Sequence, residues 1–373
     1  MPLDDLRHSI DEIDDAILAL LGQRADLARQ VADAKRDAHA ATYDPERERA
    51  VLARLESKGA GRFPREAIRA VYREVMSACL ALQEPMKVAF LGPVGTFTHA
   101  AAREMFGLAV RYVEAASIDG VFDAVRRGDA AHGVVPIENS TEGSVTQAVD
   151  ALIDGGVVIR RELLFEVDQC LMSTADGVTR IERVYSHPQA LAQCRMWLAT
   201  NLAAAQLIQT PSTASAVREA LADSAGGAVG SQLAAELYGL PVLRDSIQDL
   251  AHNVTRFVML ALDDGPRTGH DKTTLAFAVH DGAGALRRVL EVFDDNEISL
   301  TRIESRPSRQ KAWDYVFLAD LEGHRDDANV RAAMETLGER CPMLRILGSY
   351  ARAEASIAST GSAPELVPPA EMK

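Results

Sequence analysis

The sequence predicts a multidomain protein in which an all-α segment, an α/β segment and an α+β segment of the ferredoxin-like type follow one another. The chain of 373 residues exceeds the size at which one hydrophobic core stops growing, so two or three domains are expected. In the first segment, apolar residues recur at a helical period. In the second, they form short strands that alternate with helices, and in the third they follow the order strand, helix, strand, strand, helix, strand. The predicted domains are residues 1–85, 86–265 and 272–352.

The first predicted helix extends from Leu3 to Ala34, with apolar residues in the heptad a/d pattern that is typical of a continuous packing seam. The seam consists of Leu3, Leu6, Ile10, Ile13, Ile17, Leu20, Leu27 and Val31. Arg24 also lies on this seam. Because a buried guanidinium is costly unless it meets an anion, we expect a negative ligand there.

Two more helices complete the first segment. One begins at Asp44 and Pro45, a capping residue followed by a proline in the first turn, and ends near Ser57. The other follows Pro64 and ends at Gln83.

Arg7 indicates that the helices assemble with a second chain. It lies 17 residues before Arg24, which corresponds to about 25 Å along a helix. Because no small molecule spans that distance, Arg7 serves the same pocket only if it comes from another chain. We therefore expect a homodimer, or a higher homo-oligomer, with equivalent pockets.

In the central segment, the apolar strand in GVVPIENSTEG (133–143) ends abruptly in polar residues. Ligands of open α/β sheets bind at the carboxyl ends of strands, so this end of the strand is a candidate site. The alternative is a polar turn closed by Gly143.

After the polar linker at 263–272, the order strand, helix, strand, strand, helix, strand predicts a ferredoxin-like unit. The tail from residue 353 to 373 is rich in Ala, Ser and Pro and lacks periodicity, which predicts disorder.

Composition limits the possible partners. A net charge of −14 argues against nucleic acid or an anionic membrane, because both bind basic surfaces. The four cysteines form no CxxC pair, which favours reduced thiols over disulfides or a zinc site. The N-terminus is charged from residue 4, and no apolar run approaches membrane-spanning length. We expect a soluble cytoplasmic protein.

Four motifs of the central segment resemble the prephenate dehydratase family in their order and spacing. They are GPVGTFTHAA (92–101), YSHPQALAQC (185–194), STASA (212–216) and NVTRF (253–257). Together with its flanking segments, the chain resembles the bifunctional chorismate mutase/prephenate dehydratases of phenylalanine biosynthesis. This resemblance implies a two-lobed, periplasmic-binding-like central domain. It also implies conversion of chorismate through prephenate to phenylpyruvate, with no cofactor and no metal.

For the helical segment, the resemblance implies a chorismate site. Its residues are Arg7, Arg24, Lys35, Asp44, Arg47, Glu48 and Gln83. The rearrangement needs no proton transfer, so catalysis consists of holding a reactive conformer and stabilising charge on the ether oxygen. Lys35 and Gln83 would be the catalytic donors to that oxygen, and the role of Cys79 stays open. The alternative is a helical dimerisation arm with surface charges.

For the central segment, the resemblance implies Thr255 as the catalytic residue. The implied prephenate-binding residues are Thr96, Glu138, Asn139, Ser140, Ser186, His187, Gln193, Ser212, Thr255, Arg256 and Phe257. Structural alternatives stay open for three of them: His187 as a helix cap, Glu138 as a carboxylate bonded to backbone amides, and Thr255 as an ordinary strand residue.

The C-terminal segment carries GAGAL (282–286) and IESRP (303–307), which resemble the phenylalanine-binding motifs of an ACT domain. The implied effector-binding residues are Gly284, Ala285, Leu286, Glu304, Ser305, Arg306 and Pro307. The expected outcome is feedback inhibition by phenylalanine. The alternative is a domain that only dimerises.

Two other functions compete with the bifunctional enzyme. A non-catalytic amino-acid sensor would explain a two-lobed domain, but it leaves Arg24 and NVTRF without a purpose. A mutase fused to prephenate dehydrogenase would need a GxGxxG loop after a strand, and the sequence contains none.

Overall fold

The computed structural model describes residues 2–38, 43–250, 252–280, 282–307, 315–353 and 356–358. The chain folds into two compact units. One contains the described residues up to Val88 together with Arg103–Tyr112, and the other contains Ala89–Ala102 and the described residues from Val113 onward. None of the described helices is both long and apolar enough to cross a membrane.

The first unit contains the three helices that the sequence predicts: α1 (Leu3–Asp37), α2 (Pro45–Lys58) and α3 (Arg65–Gln83). Asp44 caps α2, because its Oδ1 accepts a hydrogen bond from the Arg47 amide at 2.9 Å. The helix ends at Gly59, whose φ of 64° favours glycine.

The predicted apolar seam of α1 is exposed to solvent within the single chain. Leu3, Ile13, Leu20 and Leu27 are each about 60% exposed. A row of large apolar side chains in water is unfavourable, so α1 presents a surface that is suited to a partner.

The segment Arg103–Tyr112 packs against α3 within the first unit. The Leu108 amide donates to Glu74 Oε2 at 2.8 Å, and the Ala109 amide donates to Ser77 Oγ at 3.1 Å. The helical unit thus includes a stretch that lies well beyond residue 85.

Strands and helices alternate over residues 87–261, as the sequence predicts. They are β1 (Lys87–Leu91), α4 (Phe97–Phe106), β2 (Arg111–Ala115), α5 (Ile118–Arg126), β3 (His132–Asn139), β4 (Gly143–Ser144), α6 (Thr146–Asp154), β5 (Val158–Glu166), β6 (Cys170–Ser173), β7 (Arg183–Ser186), α7 (Pro188–Gln193), α8 (Arg195–Asn201), β8 (Gln206–Gln209), α9 (Thr213–Leu221), β9 (Gly226–Gly230), α10 (Gln232–Tyr238), β10 (Val242–Arg244) and β11 (Val254–Ala261). Sequence reasoning missed β2, β4 and β10.

The C-terminal elements confirm the predicted ferredoxin-like order. They are β12 (Asp271–Ala278), α11 (Ala285–Asp295), β13 (Leu300–Pro307), β14 (Tyr315–Glu322), α12 (Ala328–Arg340), β15 (Met343–Ala351) and β16 (Ser356–Ala358). Four of these strands form an antiparallel sheet in the order β13-β14-β12-β15, and the two helices connect strands of that sheet.

The sequence predicts disorder from residue 353 to 373, but β16 pairs with β5 in parallel. The remaining residues of that tail from 354 on lie outside the described part of the chain.

The central elements form two lobes, which confirms the expected architecture. The first sheet has the order β16-β5-β11-β3-β1-β2 with β4 beside β3, and the second has the order β10-β6-β9-β7-β8. The chain leaves the first sheet after β5 and returns to it at β11. The two crossing segments are paired: the Val167 amide donates to Asn253 O at 2.7 Å, and the Ile247 amide donates to Gln169 O at 2.9 Å.

The core of the first lobe continues into the C-terminal sheet. One buried cluster includes Ile137 and Val258 of the lobe together with Leu318 and Tyr350 of the C-terminal sheet. At Gly348, where φ is 154°, a Cβ atom would lie 2.2 Å from a backbone oxygen of β5. Only glycine allows this close approach.

Candidate functional sites

The first unit contains a pocket of about 450 Å³. Its lining residues are Arg24, Leu27, Ala28, Val31, Lys35, Tyr43, Asp44, Arg47, Glu48, Val51, Met76, Cys79, Leu80 and Gln83. Six of the seven residues expected for the first site therefore line one pocket, although they come from all three helices and from the segment before α2. Three of the six are cationic, which suits an anionic ligand.

Arg24 contributes an unneutralised charge to this pocket. Its Nη1 lies 2.7 Å from Cys79 Sγ and 3.4 Å from the Val75 carbonyl oxygen, and both of these partners are neutral acceptors. Among the residues that the structure describes, no carboxylate forms an ion pair with Arg24. The guanidinium is half-buried, so an anion in the pocket would meet a positive charge that is only partly screened by water.

Gln83 lies in the same pocket with an incompletely bonded side chain. Its Oε1 is buried without a hydrogen-bond partner among the described residues. Since the two ends of an amide are assigned from their hydrogen bonds, either end of Gln83 is able to face the ligand.

Arg7 does not line the pocket of its own chain. It is exposed and lies 3.5 Å from Asp4, one turn away on α1. This placement agrees with the expectation that Arg7 serves another chain.

Asn139 and Thr255 lie directly opposite each other on the paired strands β3 and β11. Asn139 Nδ2 donates to Thr255 Oγ1 at 2.9 Å and to Asn253 Oδ1 at 2.8 Å. Asn139 Oδ1 accepts from the amides of Thr141 and Glu142, at 3.0 and 3.2 Å. All three interacting side chains are buried at the point where the chain returns from the second lobe.

Ser140 closes the turn beside this group. Its Oγ accepts from the Val254 amide at 3.0 Å and donates to His252 O at 3.3 Å. The hydroxyl therefore fixes the position of β11 against the end of β3.

Arg256 follows Thr255 on β11 and so points to the opposite face, against the C-terminal sheet. Its Nη1 lies 2.5 Å from Asp320 Oδ2, its Nε lies 2.8 Å from Glu162 Oε2, and its Nη2 donates to the Tyr350 hydroxyl at 2.6 Å. Burial alone would raise the pKa of Asp320, but the charge and hydrogen bonds of Arg256 outweigh it and hold this pKa below its usual range. The structure thus gives Arg256 buried protein partners instead of a place beside Thr255.

Glu138 and Phe257 also differ from the expected arrangement. Glu138 shares the face of Arg256, where its Oε2 lies 3.6 Å from Arg256 Nη1 and its Oε1 lies 3.4 Å from Arg302 Nε. Phe257 is buried with its ring edge-on to Phe165, at a centroid distance of 6.0 Å. Phe257 is part of the core of the first lobe.

His187 and Ser212 cap helices on the second lobe. His187 Nδ1 accepts from the Gln189 amide at 3.3 Å, and Ser212 Oγ accepts from the Ser215 amide at 3.0 Å. For His187, this geometry matches the structural alternative.

Ser186 and Gln193 likewise have protein partners. The buried Ser186 hydroxyl donates to Val229 O at 2.6 Å, and Gln193 Oε1 accepts from Gln169 Nε2 at 3.1 Å. In the described part of the chain, no hydrogen bond joins either residue to Thr255.

Thr96 stands just before α4, where its Oγ1 accepts from the His99 amide at 3.3 Å. The neighbouring amides of Val94 and Gly95 already donate to Glu114 Oε2 and His99 Nδ1, both at 3.2 Å. Those two amides are therefore occupied by protein acceptors.

The predicted effector motif on β13 alternates between two environments. Glu304 contacts the Ser144 hydroxyl, and its Oε2 lies 2.5 Å from Arg302 Nη2. Arg306 Nη2 lies 2.9 Å from Asp150 Oδ1 on α6. Ser305 and the other odd-numbered positions from 301 to 307 are exposed.

The second effector motif precedes α11. Gly284 has a φ of 75°, a left-handed conformation that favours glycine, and Ala285 starts the helix. Leu286 packs against the core of the C-terminal sheet. The backbone at this turn is exposed, as a ligand site at a helix start requires.

Sequence reasoning missed Asn253, Arg302 and Asp320. The two-residue repeat of extended chain could have identified two of them, because residues two apart face the same side. Asn253 lies two residues before Thr255, and Arg302 lies two residues before Glu304.

Comparison with known proteins gives three consecutive family matches. They are Chorismate mutase type II over residues 6–84, Prephenate dehydratase over 88–264 and ACT domain over 273–339.

Individual relatives match over nearly the whole chain. A bifunctional chorismate mutase/prephenate dehydratase of Aquifex aeolicus is 45% identical over 355 residues, which cover 94% of this chain and 98% of the relative. Its counterpart in Neisseria gonorrhoeae is 40% identical over 348 residues, covering 92% and 95%. A solved prephenate dehydratase from Arthrobacter aurescens, in complex with L-Phe, is 37% identical and has a TM-score of 0.67, covering 72% of this chain and 90% of that one.

Proposed function

The chain belongs to the family of bifunctional chorismate mutase/prephenate dehydratases, and from that premise we propose which of its residues perform the two reactions. The enzyme rearranges chorismate to prephenate, converts prephenate to phenylpyruvate, and is regulated by phenylalanine through its ACT domain. The pocket that gathers Arg24, Lys35, Arg47 and Gln83 is the observation that best supports the assignment of residues.

In the mutase pocket, Arg24 binds a carboxylate of chorismate, and Arg47 orders the pocket. Lys35 and Gln83 donate to the ether oxygen, where negative charge grows in the transition state, and Glu48 accepts from the ring hydroxyl. The reaction moves no proton, so positioning and charge stabilisation are sufficient.

In the dehydratase site, prephenate loses carbon dioxide and its ring hydroxyl as the ring becomes aromatic. The departing hydroxide needs a positioned hydrogen-bond donor, and a proton that is replenished through a hydrogen-bonded network. The Thr255 hydroxyl fits this role, because its oxygen already accepts from Asn139 and its hydrogen has no acceptor among the described residues.

A homodimer completes the mutase pocket in this proposal. The exposed apolar face of α1 and the position of Arg7 outside its own pocket both support a second chain that packs along α1. We also infer a cytoplasmic location, since the four cysteines are free and buried, as suits a reducing compartment.

Purified protein incubated with chorismate should form phenylpyruvate, and added prephenate should be consumed. Phenylalanine should inhibit the second step. Formation of prephenate without its consumption would contradict the dehydratase assignment, and failure to consume chorismate would contradict the mutase assignment.

The variants Arg7→Ala and Arg24→Ala test the shared pocket. Each alone should lose mutase activity. When the two are unfolded and refolded together, half of the dimers carry one chain of each kind and one intact pocket, so about a quarter of wild-type activity returns. If Arg7 acts within its own chain, mixing restores nothing.

A further inference from the structure

The hydrogen bonds around Asn139 fix the orientation of two carboxamide side chains, first that of Asn139 and then that of Asn253. The amides of Thr141 and Glu142 can only donate, so the atom of Asn139 that they contact is the oxygen Oδ1. Nδ2 of Asn139 must then face Thr255 and Asn253. For the same reason, the atom of Asn253 that meets it is Oδ1, which turns Nδ2 of Asn253 away from Asn139.

Among the residues that the structure describes, none forms a hydrogen bond with this Nδ2 of Asn253. It is buried, and Asn253 as a whole is only 4% exposed. A buried donor without an acceptor loses its hydrogen bonds to water and gains none in return, so an asparagine at this position is unfavourable unless something else binds it. Asn253 also lies on the segment where the chain crosses between the lobes, beside the Thr255 hydroxyl, whose hydrogen has no acceptor in the described part of the chain.

We infer that Asn253 is a substrate-binding residue of the dehydratase, and that its Nδ2 donates to a carboxylate of prephenate when the two lobes move apart to admit it. This inference rests on the proposed function. An amide N–H donates a hydrogen bond but does not give up its proton, so it suits a carboxylate that stays ionised. The neighbouring hydroxyl of Thr255 suits the ring hydroxyl, which leaves as hydroxide.

Asn253→Asp tests this role, because it keeps the oxygen that accepts from Asn139 and replaces the Nδ2 donor with a second oxygen. At pH 8, the KM for prephenate should rise about 10- to 100-fold, since a hydrogen bond to a charged group is worth about 1.5–3 kcal/mol. The increase should shrink as the pH is lowered and the introduced carboxyl gains a proton. Mutase activity should stay close to that of the wild type, whereas the melting temperature should fall somewhat, because the introduced carboxylate is buried.

Asn201→Asp is the matched control, because the same substitution is made on the exposed end of α8. It should leave the KM unchanged. Asn253→Ala should also raise the KM, but without the recovery at low pH.

Three results would overturn the inference. If the wild type consumes prephenate and Asn253→Asp has a wild-type KM at pH 8, Asn253 does not bind the substrate. If mutase and dehydratase activities fall together with the melting temperature, its role is structural. If the wild type does not consume prephenate, the proposed function fails as well.

Discussion

Thr255 and Arg256 are neighbours that serve different purposes, because successive side chains of a strand point to opposite faces. The Thr255 side chain meets Asn139, whereas Arg256 meets Asp320 and Glu162. A motif that is contiguous in the sequence is thus divided between the proposed dehydratase site and a buried ion-pair network.

Thr255→Val should abolish dehydratase turnover and leave the mutase active, because valine has a similar shape but no hydroxyl. Thr255→Ser should retain measurable turnover, since it keeps the hydroxyl. Rates measured separately with prephenate and with chorismate check both outcomes. Loss of both activities in Thr255→Val would indicate misfolding.

Gln83 is neutral at every pH and so is able to donate in the mutase pocket under all conditions. Gln83→Glu should confine mutase activity to acidic pH, where the carboxyl carries a proton to donate and lacks a negative charge near the ether oxygen. The pH profile of chorismate consumption measures this effect. Unchanged activity at pH 8 would refute the assigned role, and dehydratase activity serves as the internal control.

At the scale of single elements, β13 carries the predicted effector motif and contacts the dehydratase lobe. Its even-numbered side chains Arg302, Glu304 and Arg306 contact Glu138, Ser144 and Asp150, while the odd-numbered side chains are exposed. Glu138 is the residue immediately before Asn139. A ligand that shifts β13 would therefore act on the strand that carries the Asn139 carboxamide.

Arg302→Met should weaken this connection. We expect phenylalanine to bind with little change in affinity, as measured by calorimetry, and the concentration needed to inhibit the dehydratase to rise about tenfold, within the usual range of coupling. Arg331→Met, on the exposed face of α12, is the matched control and should leave inhibition unchanged. Unaltered inhibition in Arg302→Met would argue against β13 as the connection.

At the scale of the whole molecule, buried charges link the dehydratase lobe to the ACT sheet within the second unit. Arg256 and Lys272 face Glu162, and Arg256 also faces Asp320, whose Oδ1 accepts from Thr274 at 2.6 Å. Removing one member of a buried ion pair destabilises the fold more than removing both members, because the remaining charge has no partner.

Arg256→Met should lower the free energy of unfolding by about 3–5 kcal/mol, and the double variant Arg256→Met/Asp320→Leu should lower it by less. Urea unfolding followed by circular dichroism measures both. A single variant as stable as the wild type would contradict the network.

The same pair predicts a dependence on pH. The folded pKa of Asp320 lies below its unfolded value of about 3.9, so its contribution to stability is present above that pH and is lost as the pH falls through the folded pKa. The double variant should lose part of this dependence, which acid titration of unfolding would show.

The sequence by itself determined the helices and most of the strands, and through its family resemblance it named six residues that line one pocket. Periodicity and caps such as Asp44 are local features of the chain, whereas the set of pocket residues was implied by the family resemblance. The βαββαβ order of the C-terminal segment was also predicted from the sequence, because each strand and helix has its own apolar periodicity.

Only the tertiary structure decided which face of β3 and β11 receives the C-terminal sheet. The sequence places Glu138 and Asn139 on opposite faces, but it does not reveal that Asp320 and Arg302 occupy one of them. The packing of Arg103–Tyr112 on α3 and the pairing of β16 with β5 are also contacts between distant residues. Such contacts depend on how whole elements fit together, and this information is absent from any local stretch of chain.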